Sequence, residues 1–431
     1  MKKTFKRLGA MFLAMVMAVS VLCTGALATN TAQKGPFTIT VKNETSGYTY
    51  QAYQVFKGDL ATDSSNNKIL SNIQWGTDVD TTKTDNEKTL LQAIQAIDTG
   101  SDAASNKPFE KCTDAAGVAA VLSDSDKATA DVVKEFAKVV GKYLGTTSKN
   151  ESQYKTANAD GDTHASNDKA HYDISVNDAG YYLVKNTGVP SDTTNTETAY
   201  TNYILEVVGN VQVDPKTSVP TVDKTVQNPQ NKKTDDDKTA EDYSGATTAQ
   251  IGESVNFKLT GTLPSNYEDY EKYQYTFNDT LSKGLTLPVN ANKVTGLTVT
   301  VYPSKDQMSA EDGKLLKEVS TNTDTSGYYV THTANSANST TSLTVAFANL
   351  KDVKADSNNN TVTITKDSVI VVSYSATLNE NAVIGKPTDG DNNAVGNFNR
   401  VHLVYSNDPN ATGDGTTGKT PEDEVQVYTF K

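Results

Sequence analysis

Hydrophobic and polar positions alternate with a period of two along much of this chain, the pattern of strands with one face buried. Phe37-Thr-Ile-Thr-Val41 and Tyr48–Phe56 are the first such runs, and Asn43–Gly47 between them supplies turn residues. The period then changes. Leu90, Leu91, Ile94 and Ile97 recur at helical spacing, as do Val132, Val133, Phe136, Val139, Val140 and Leu144 within Ser125–Leu144. Strand alternation returns at Tyr181–Val184 and Tyr203–Val213. Residues 29–216 therefore predict a β-domain carrying a helical insertion.

Pro215 and Pro220 mark an extended junction, because the residue before a proline is pushed out of the helical region. Beyond it, short strands are predicted at Thr221–Val226, Ser254–Gly261, Tyr273–Thr280, Leu297–Tyr302, Tyr328–Thr333, Ser342–Ala348, Thr361–Thr365, Val369–Leu378 and Asn399–Ser406. Many short strands with turn residues between them suggest a sandwich. Asn228–Ala249 is polar and reads as a loop between the first two strands. The fold class is mainly β: tandem Ig-like β-sandwich domains, the second over 217–424. The alternating Val425–Phe430 reads as the first strand of a further domain, 425–431, so the sequence is expected to be a fragment.

Composition adds a location. Lys2, Lys3, Lys6 and Arg7 precede the apolar stretch Leu8–Cys23, and Ala26-Leu-Ala28 is a small-x-small cleavage site, so residues 1–28 read as a signal peptide. After its removal only Cys112 remains, which excludes intramolecular disulfides. The net charge is −13 and only two arginines occur, Arg7 and Arg400. Nucleic acid is a poor partner for such a chain, since phosphate contacts need a basic face. With Gly counted and Tyr left out, about 37% of the residues are apolar, against a usual ~45–50% on the same definition, so the core is lean and asks for some other stabilising device.

Candidate chemistry is sparse. Asn158-Ala-Asp-Gly-Asp162 resembles a calcium loop, but the twelfth loop position is Asn167 rather than Glu, so it reads as a polar turn. The four histidines have no metal-ligand spacing with Cys112. No phosphate loop or nucleophile elbow occurs. No cofactor, metal or turnover catalysis is expected.

Three polar residues break the strand pattern. Val222, Lys224 and Val226 share one strand face. On the next candidate strand Tyr275, Phe277, Asp279 and Leu281 share a face, and on the last Val401, Leu403, Tyr405 and Asn407 do. A lone buried charge is expensive, so Lys224, Asp279 and Asn407 are expected to meet. Burial favours a neutral, nucleophilic Lys amine and a protonated Asp carboxyl. The acid can polarise the Asn carboxamide while the amine attacks, expelling ammonia and leaving an isopeptide bond. Read separately, each residue has an ordinary role as a strand-end lysine, a turn-capping acid and a turn asparagine.

The sequence resembles the backbone (major) pilins of Gram-positive bacteria. The resemblance rests on Phe37–Leu60, Ile251-Gly-Glu-Ser-Val-Asn-Phe257, Asp279-Thr-Leu-Ser-Lys-Gly-Leu285, Tyr405-Ser-Asn407 and Val211-Gln-Val-Asp-Pro-Lys216. It implies a Lys224–Asn407 cross-link promoted by Asp279, and a structural pilus subunit polymerised by a pilus-type sortase through the amine of Lys216. It also implies export to the cell wall and covalent bonds to other pilin subunits. The family's third sandwich, LPxTG-type sorting signal, apolar span and basic tail are not in this sequence. The alternative is a surface adhesin or pilus-tip module that binds host matrix or glycans. Lys42 is the candidate lysine for a cross-link in the first domain, but it falls on the polar face with Thr38 and Thr40, so no bond is assigned there.

Overall fold

The computed structural model describes residues 35–62, 68–100, 104–145, 150–156, 169–190, 202–207, 209–213, 218–227, 243–385, 397–409, 411 and 415–429. The signal-peptide stretch 1–28, the polar turn at 158–162 and Lys216 lie outside the described residues. Strands account for 47% of the chain and helices for 9%, so it is mainly β with a minor helical part. The described residues up to 213 form one compact unit and those from 218 onward another.

The N-terminal unit contains strands β1 (Phe37–Val41), β2 (Thr49–Thr62) and β3 (Lys68–Trp75). Three helices follow, α1 (Leu90–Gln95), α2 (Ala115–Ser123) and α3 (Ala130–Gly141). The chain then returns through β4 (His171–Val176), β5 (Gly180–Gly188), β6 (Asn202–Val207) and β7 (Val211–Val213). One sheet has the order β7–β1–β4, with Gln153–Lys155 on its far edge; the other has the order β6–β5–β2–β3. Ile39, Val41, Tyr50, Ala52, Ile174, Tyr182 and Val184 fill the space between the sheets.

The opposite face of the second sheet carries Val55, Phe56, Leu70, Tyr181 and Leu183 against Leu90, Ile94, Val118, Leu122, Val132, Phe136 and Val140 of the helices. Covering that sheet on both faces explains why Ala52–Phe56 and Gly180–Val184 are buried without alternation. Phe56 joins the helical layer to the sheet. It stacks on Phe136 and Trp75 and meets Tyr181 edge-on, with ring centroids 5.2–6.0 Å apart. α3 is capped by Thr129, whose hydroxyl accepts from the Val132 amide, and has Asp131 in its first turn and Lys138 in its last. Helix α2 was not legible from periodicity because its sequence, AAGVAAVLS, has almost no polar face. The Asp114 side chain nevertheless marks its start by accepting from the Gly117 amide at 2.8 Å.

The C-terminal unit is a sandwich of two larger sheets. Its strands are β8 (Val222–Gln227), β9 (Ala246–Thr248), β10 (Ser254–Gly261), β11 (Tyr275–Leu281) and β12 (Thr298–Tyr302). They continue with β13 (Tyr329–Asn335), β14 (Thr340–Phe347), β15 (Val369–Leu378), β16 (Asn397–Ser406) and β17 (Asp423–Tyr428). One sheet runs β8–β10–β15–β12, the other β9–β17–β16–β11–β14–β13. Phe257, Leu259, Phe277, Val299, Val345, Val372, Leu403 and Val425 belong to their shared core.

Three expectations change here. Thr361–Thr365 is not a strand: only Thr361 bridges, to Lys354, while Val362 and Ile364 pack partly buried against the core. Part of the expected loop, Ala246–Thr248, is instead an edge strand parallel to β17. Residues 425–428 do not open another domain. They lie in β17, which pairs antiparallel with β16 from Asn397↔Val427 to Val401↔Asp423, and Val425 and Val427 are fully buried in this unit's core. Alternation announces a buried face but not the core that buries it.

Candidate functional site

Lys224 sits in the middle of β8, with Leu259 of β10 as its neighbour in register. Val226 is buried on the same face and Val222 partly so, as their phase requires. The backbone amide of Lys224 donates to Asp423 Oδ2 at 2.6 Å. Asp423 begins β17 of the opposite sheet, so this contact holds the lysine at the seam of the sandwich. Asp279 lies between Val401 of β16 and Leu343 of β14 and points into the same core.

The lysine and the acid meet there. Lys224 Nζ is 2.6 Å from Asp279 Oδ1, with side-chain exposures of 0% and 1%. The Phe257 and Tyr374 rings lie 5.4 and 5.6 Å from Nζ, and Nζ also donates to the Tyr374 hydroxyl at 3.3 Å. That hydroxyl donates a short hydrogen bond to Asp279 Oδ2. It also accepts from Asn399 Nδ2 at 2.6 Å. Asn399 is fully buried and pairs with Leu281, two residues along the same face from the Asp279–Val401 pair. Its Oδ1 has no hydrogen-bond partner among the described residues.

Burial drives the Lys224 pKa down by penalising its ammonium form, while the nearby Asp279 and Asp423 carboxylates pull the other way. Burial, and then the Asp279 charge, push the Tyr374 hydroxyl well above the ordinary phenol value. The pocket thus holds an amine inclined toward its nucleophilic form, a carboxyl that can take its proton, and an amide within the same network. Acyl transfer from Asn399 to Lys224 with loss of ammonia is the chemistry these groups can perform.

The structure brings Lys224 and Asp279 together but does not bring Asn407 to them. Asn407 lies six residues beyond Val401, roughly 20 Å along the strand direction at ~3.3 Å per residue. It is buried in its own turn, where its amide donates to the Thr416 carbonyl and its Oδ1 accepts from the Thr416 hydroxyl at 2.7 Å. The amide side chain beside Asp279 is that of Asn399. Sequence reasoning began the buried face at Val401 and so missed Asn399, although it lies on that face. Tyr374 carried no signal, since a tyrosine among Ile370, Val372, Ala376 and Leu378 reads as ordinary core.

In the first unit Lys42 is half-buried just beyond β1, and the Thr40 hydroxyl donates to Asp173 Oδ1 at 2.7 Å. No group of three or more His, Cys, Asp or Glu residues able to hold a metal occurs among the described residues, nor does a helix long and apolar enough to cross a membrane.

No family model matches the chain, and no curated protein matches it. Several solved structures do. A backbone pilin of Streptococcus pyogenes, described as a modular three-domain structure, is 18% identical with a TM-score of 0.41; the match covers 91% of this chain and 64% of that one. A fimbrial protein of Actinomyces oris is 12% identical with a TM-score of 0.42, over 93% and 70% of the two chains. The full-length major pilin of Corynebacterium diphtheriae is 14% identical with a TM-score of 0.36, over 91% and 67%. The chain therefore spans less than two thirds of the streptococcal pilin.

Proposed function

We propose that this chain is a structural backbone subunit of a covalently polymerised cell-surface pilus, and that its C-terminal unit staples itself through a Lys224–Asn399 isopeptide bond. The buried convergence of Lys224, Asp279 and Asn399 carries the reading. A buried ion pair is weak evidence for stability by itself, because desolvation offsets much of the attraction. Its value here is chemical: it places a desolvated amine and a proton acceptor in one hydrogen-bond network with an amide. Bond formation happens once per molecule, so the protein is not a turnover enzyme.

The bond joins β8 of one sheet to β16 of the other. By the loop-entropy estimate used for disulfides, closing the chain between positions 224 and 399 is worth about 5 kcal/mol. An amide does so without depending on redox conditions, in a chain whose single cysteine after residue 28 cannot form an intramolecular disulfide. Force entering β8 and leaving near β16 would run through a covalent bond instead of through the ladder hydrogen bonds. That property suits a fibre subunit. The Val-x-Val-x-Pro-Lys run ending at Lys216 suits the second half of the proposal, a sortase-acylated lysine that links neighbouring subunits.

Two measurements separate the halves. Intact mass of the purified chain should fall short of the sequence mass by one ammonia; a mass equal to the unmodified sequence would end the cross-link proposal. Incubating a version that carries a sorting signal with a pilus-type sortase should give a high-mass ladder that Lys216→Ala abolishes. A ladder that persists in Lys216→Ala moves the acceptor elsewhere, and a chain that never polymerises favours a surface adhesin or pilus-tip module.

A further inference from the structure

The hydroxyl of Tyr374 has one proton and two lone pairs, and all three are engaged. The proton goes to Asp279 Oδ2, and the lone pairs accept from Asn399 Nδ2 at 2.6 Å and Lys224 Nζ at 3.3 Å. Nucleophile, acid and leaving nitrogen therefore converge on a single oxygen. Asp279 reaches Lys224 directly and bonds otherwise to Tyr374 and to the Thr280 amide; among the described residues it has no hydrogen bond to Asn399. The acid touches the nucleophile itself but reaches the leaving group only through the tyrosine.

We infer that Tyr374 is a catalytic residue of cross-link formation, its hydroxyl relaying a proton from Asp279 to the Asn399 nitrogen as that nitrogen leaves. The inference rests on the Lys224–Asn399 reading. An amide nitrogen departs poorly unless it is protonated, and the relay meets that need. Lys224 first yields one proton to Asp279, leaving a neutral amine and a carboxylic acid. The amine attacks Cγ of Asn399, forming the new C–N bond and moving the carbonyl electron pair onto Oδ1. Tyr374 gives its proton to Nδ2 while taking the one held by Asp279. The carbonyl re-forms, the Cγ–Nδ2 bond breaks, and ammonia leaves. The attacking nitrogen then returns its surplus proton to the Asp279 carboxylate, and the hydroxyl is as it began. The raised pKa of this phenol is consistent with such a role, since the hydroxyl keeps its proton until a base is generated beside it.

The ring also packs, stacking on Phe257 with centroids 5.4 Å apart, so the test must separate hydroxyl from ring. The full chain is synthesised in a cell-free system and sampled over time by intact mass, as wild type, as Tyr374→Phe, and with a ring-fluorinated tyrosine at position 374. The wild type should lose one ammonia. Tyr374→Phe should do so at least tenfold more slowly, the lower end of what positioned proton transfer supplies being roughly a hundredfold. The fluorinated residue keeps the hydroxyl but alters its acidity, so it should outpace Tyr374→Phe and differ from wild type. Wild-type kinetics in Tyr374→Phe would reduce Tyr374 to a packing ring. If Tyr374→Phe does not fold, the fluorinated chain decides: a rate equal to wild type overturns the relay. A wild type that loses no ammonia overturns the cross-link itself, a result distinguishable from failure of the relay alone.

Discussion

Each of the two units has a lysine in or beside its first long strand, and the two lysines have opposite fates. Lys42 follows Phe37-Thr-Ile-Thr-Val41 directly and is out of phase with the buried Phe37, Ile39 and Val41. On the strand before it, the buried Thr40 is satisfied by a hydroxyl-to-carboxylate bond to Asp173. Lys224 is in phase with Val222 and Val226 and is drawn into the core, where the Asp279 carboxylate compensates it. A shift of one residue in phase separates a half-buried lysine in line with the threonines of β1 from one buried against a carboxylate. The units differ in their stabilising devices to match. The first adds apolar layers, covering one sheet with three helices. The second places a charged pair and an amide where more apolar packing would otherwise stand.

The largest expected effect comes from removing the acid. Asp279→Ala should abolish the ammonia loss and leave an uncompensated amine in the core, which costs about 3–5 kcal/mol. Loss of the covalent closure adds to that. Calorimetry should show the C-terminal unit's transition falling steeply; an unchanged transition and a retained mass deficit would erase the contrast with the first unit.

The next effect sharpens which asparagine matters. Asn399→Ala should leave the chain at its unmodified mass, whereas Asn407→Ala should still lose ammonia. Asn407→Ala should cost about 1 kcal/mol through the missing bond to Thr416. The reverse pattern in intact mass would return the cross-link to Asn407.

A third prediction concerns pH and uses Asn399→Ala, which keeps the Lys224 amine free. Burial lowers the folded-state pKa of Lys224 below its unfolded value near ~10.4. Between those two pKa values the unfolded chain binds more protons, so stability rises with pH up to the unfolded value and falls as pH drops through the folded one. Denaturant unfolding of Asn399→Ala from neutral to alkaline pH should therefore gain stability relative to the same chain carrying Lys224→Met. Parallel curves would mean that burial does not penalise the ammonium.

The smallest effect is the control. Lys42→Ala should destabilise the chain far less than Asp279→Ala and leave the mass deficit intact. A large loss would show that the first unit also depends on its lysine.

Particular residues show how far the sequence could be read. The buried faces of β8, β11 and β16 follow the period-two alternation residue by residue, so the burial of Lys224, Asp279 and Asn407 was legible from the alternation alone. The partner was not. Asn397 and Asn399, like Asn407, are buried in phase with Val401, Leu403 and Tyr405. Asn397 pairs with the Val383 backbone, Asn407 with Thr416, and Asn399 reaches Tyr374. Helix α2 was missed because a segment of Ala, Val and Leu has no polar face to reveal its period. β17 was assigned to another core because its two valines say only that they are buried.

By itself, then, the sequence determined the class of elements and which side of each strand faces inward, because side-chain direction alternates with every residue and needs no other strand to define it. It also determined that a lysine and an acid would share a core. Only the tertiary structure decided which asparagine stands with them, that a tyrosine joins all three, and that β17 closes this sandwich. Those outcomes depend on register between strands far apart in the chain. Alternation cannot specify register, because every shift by two residues preserves the buried face and moves the chemistry by ~6–7 Å.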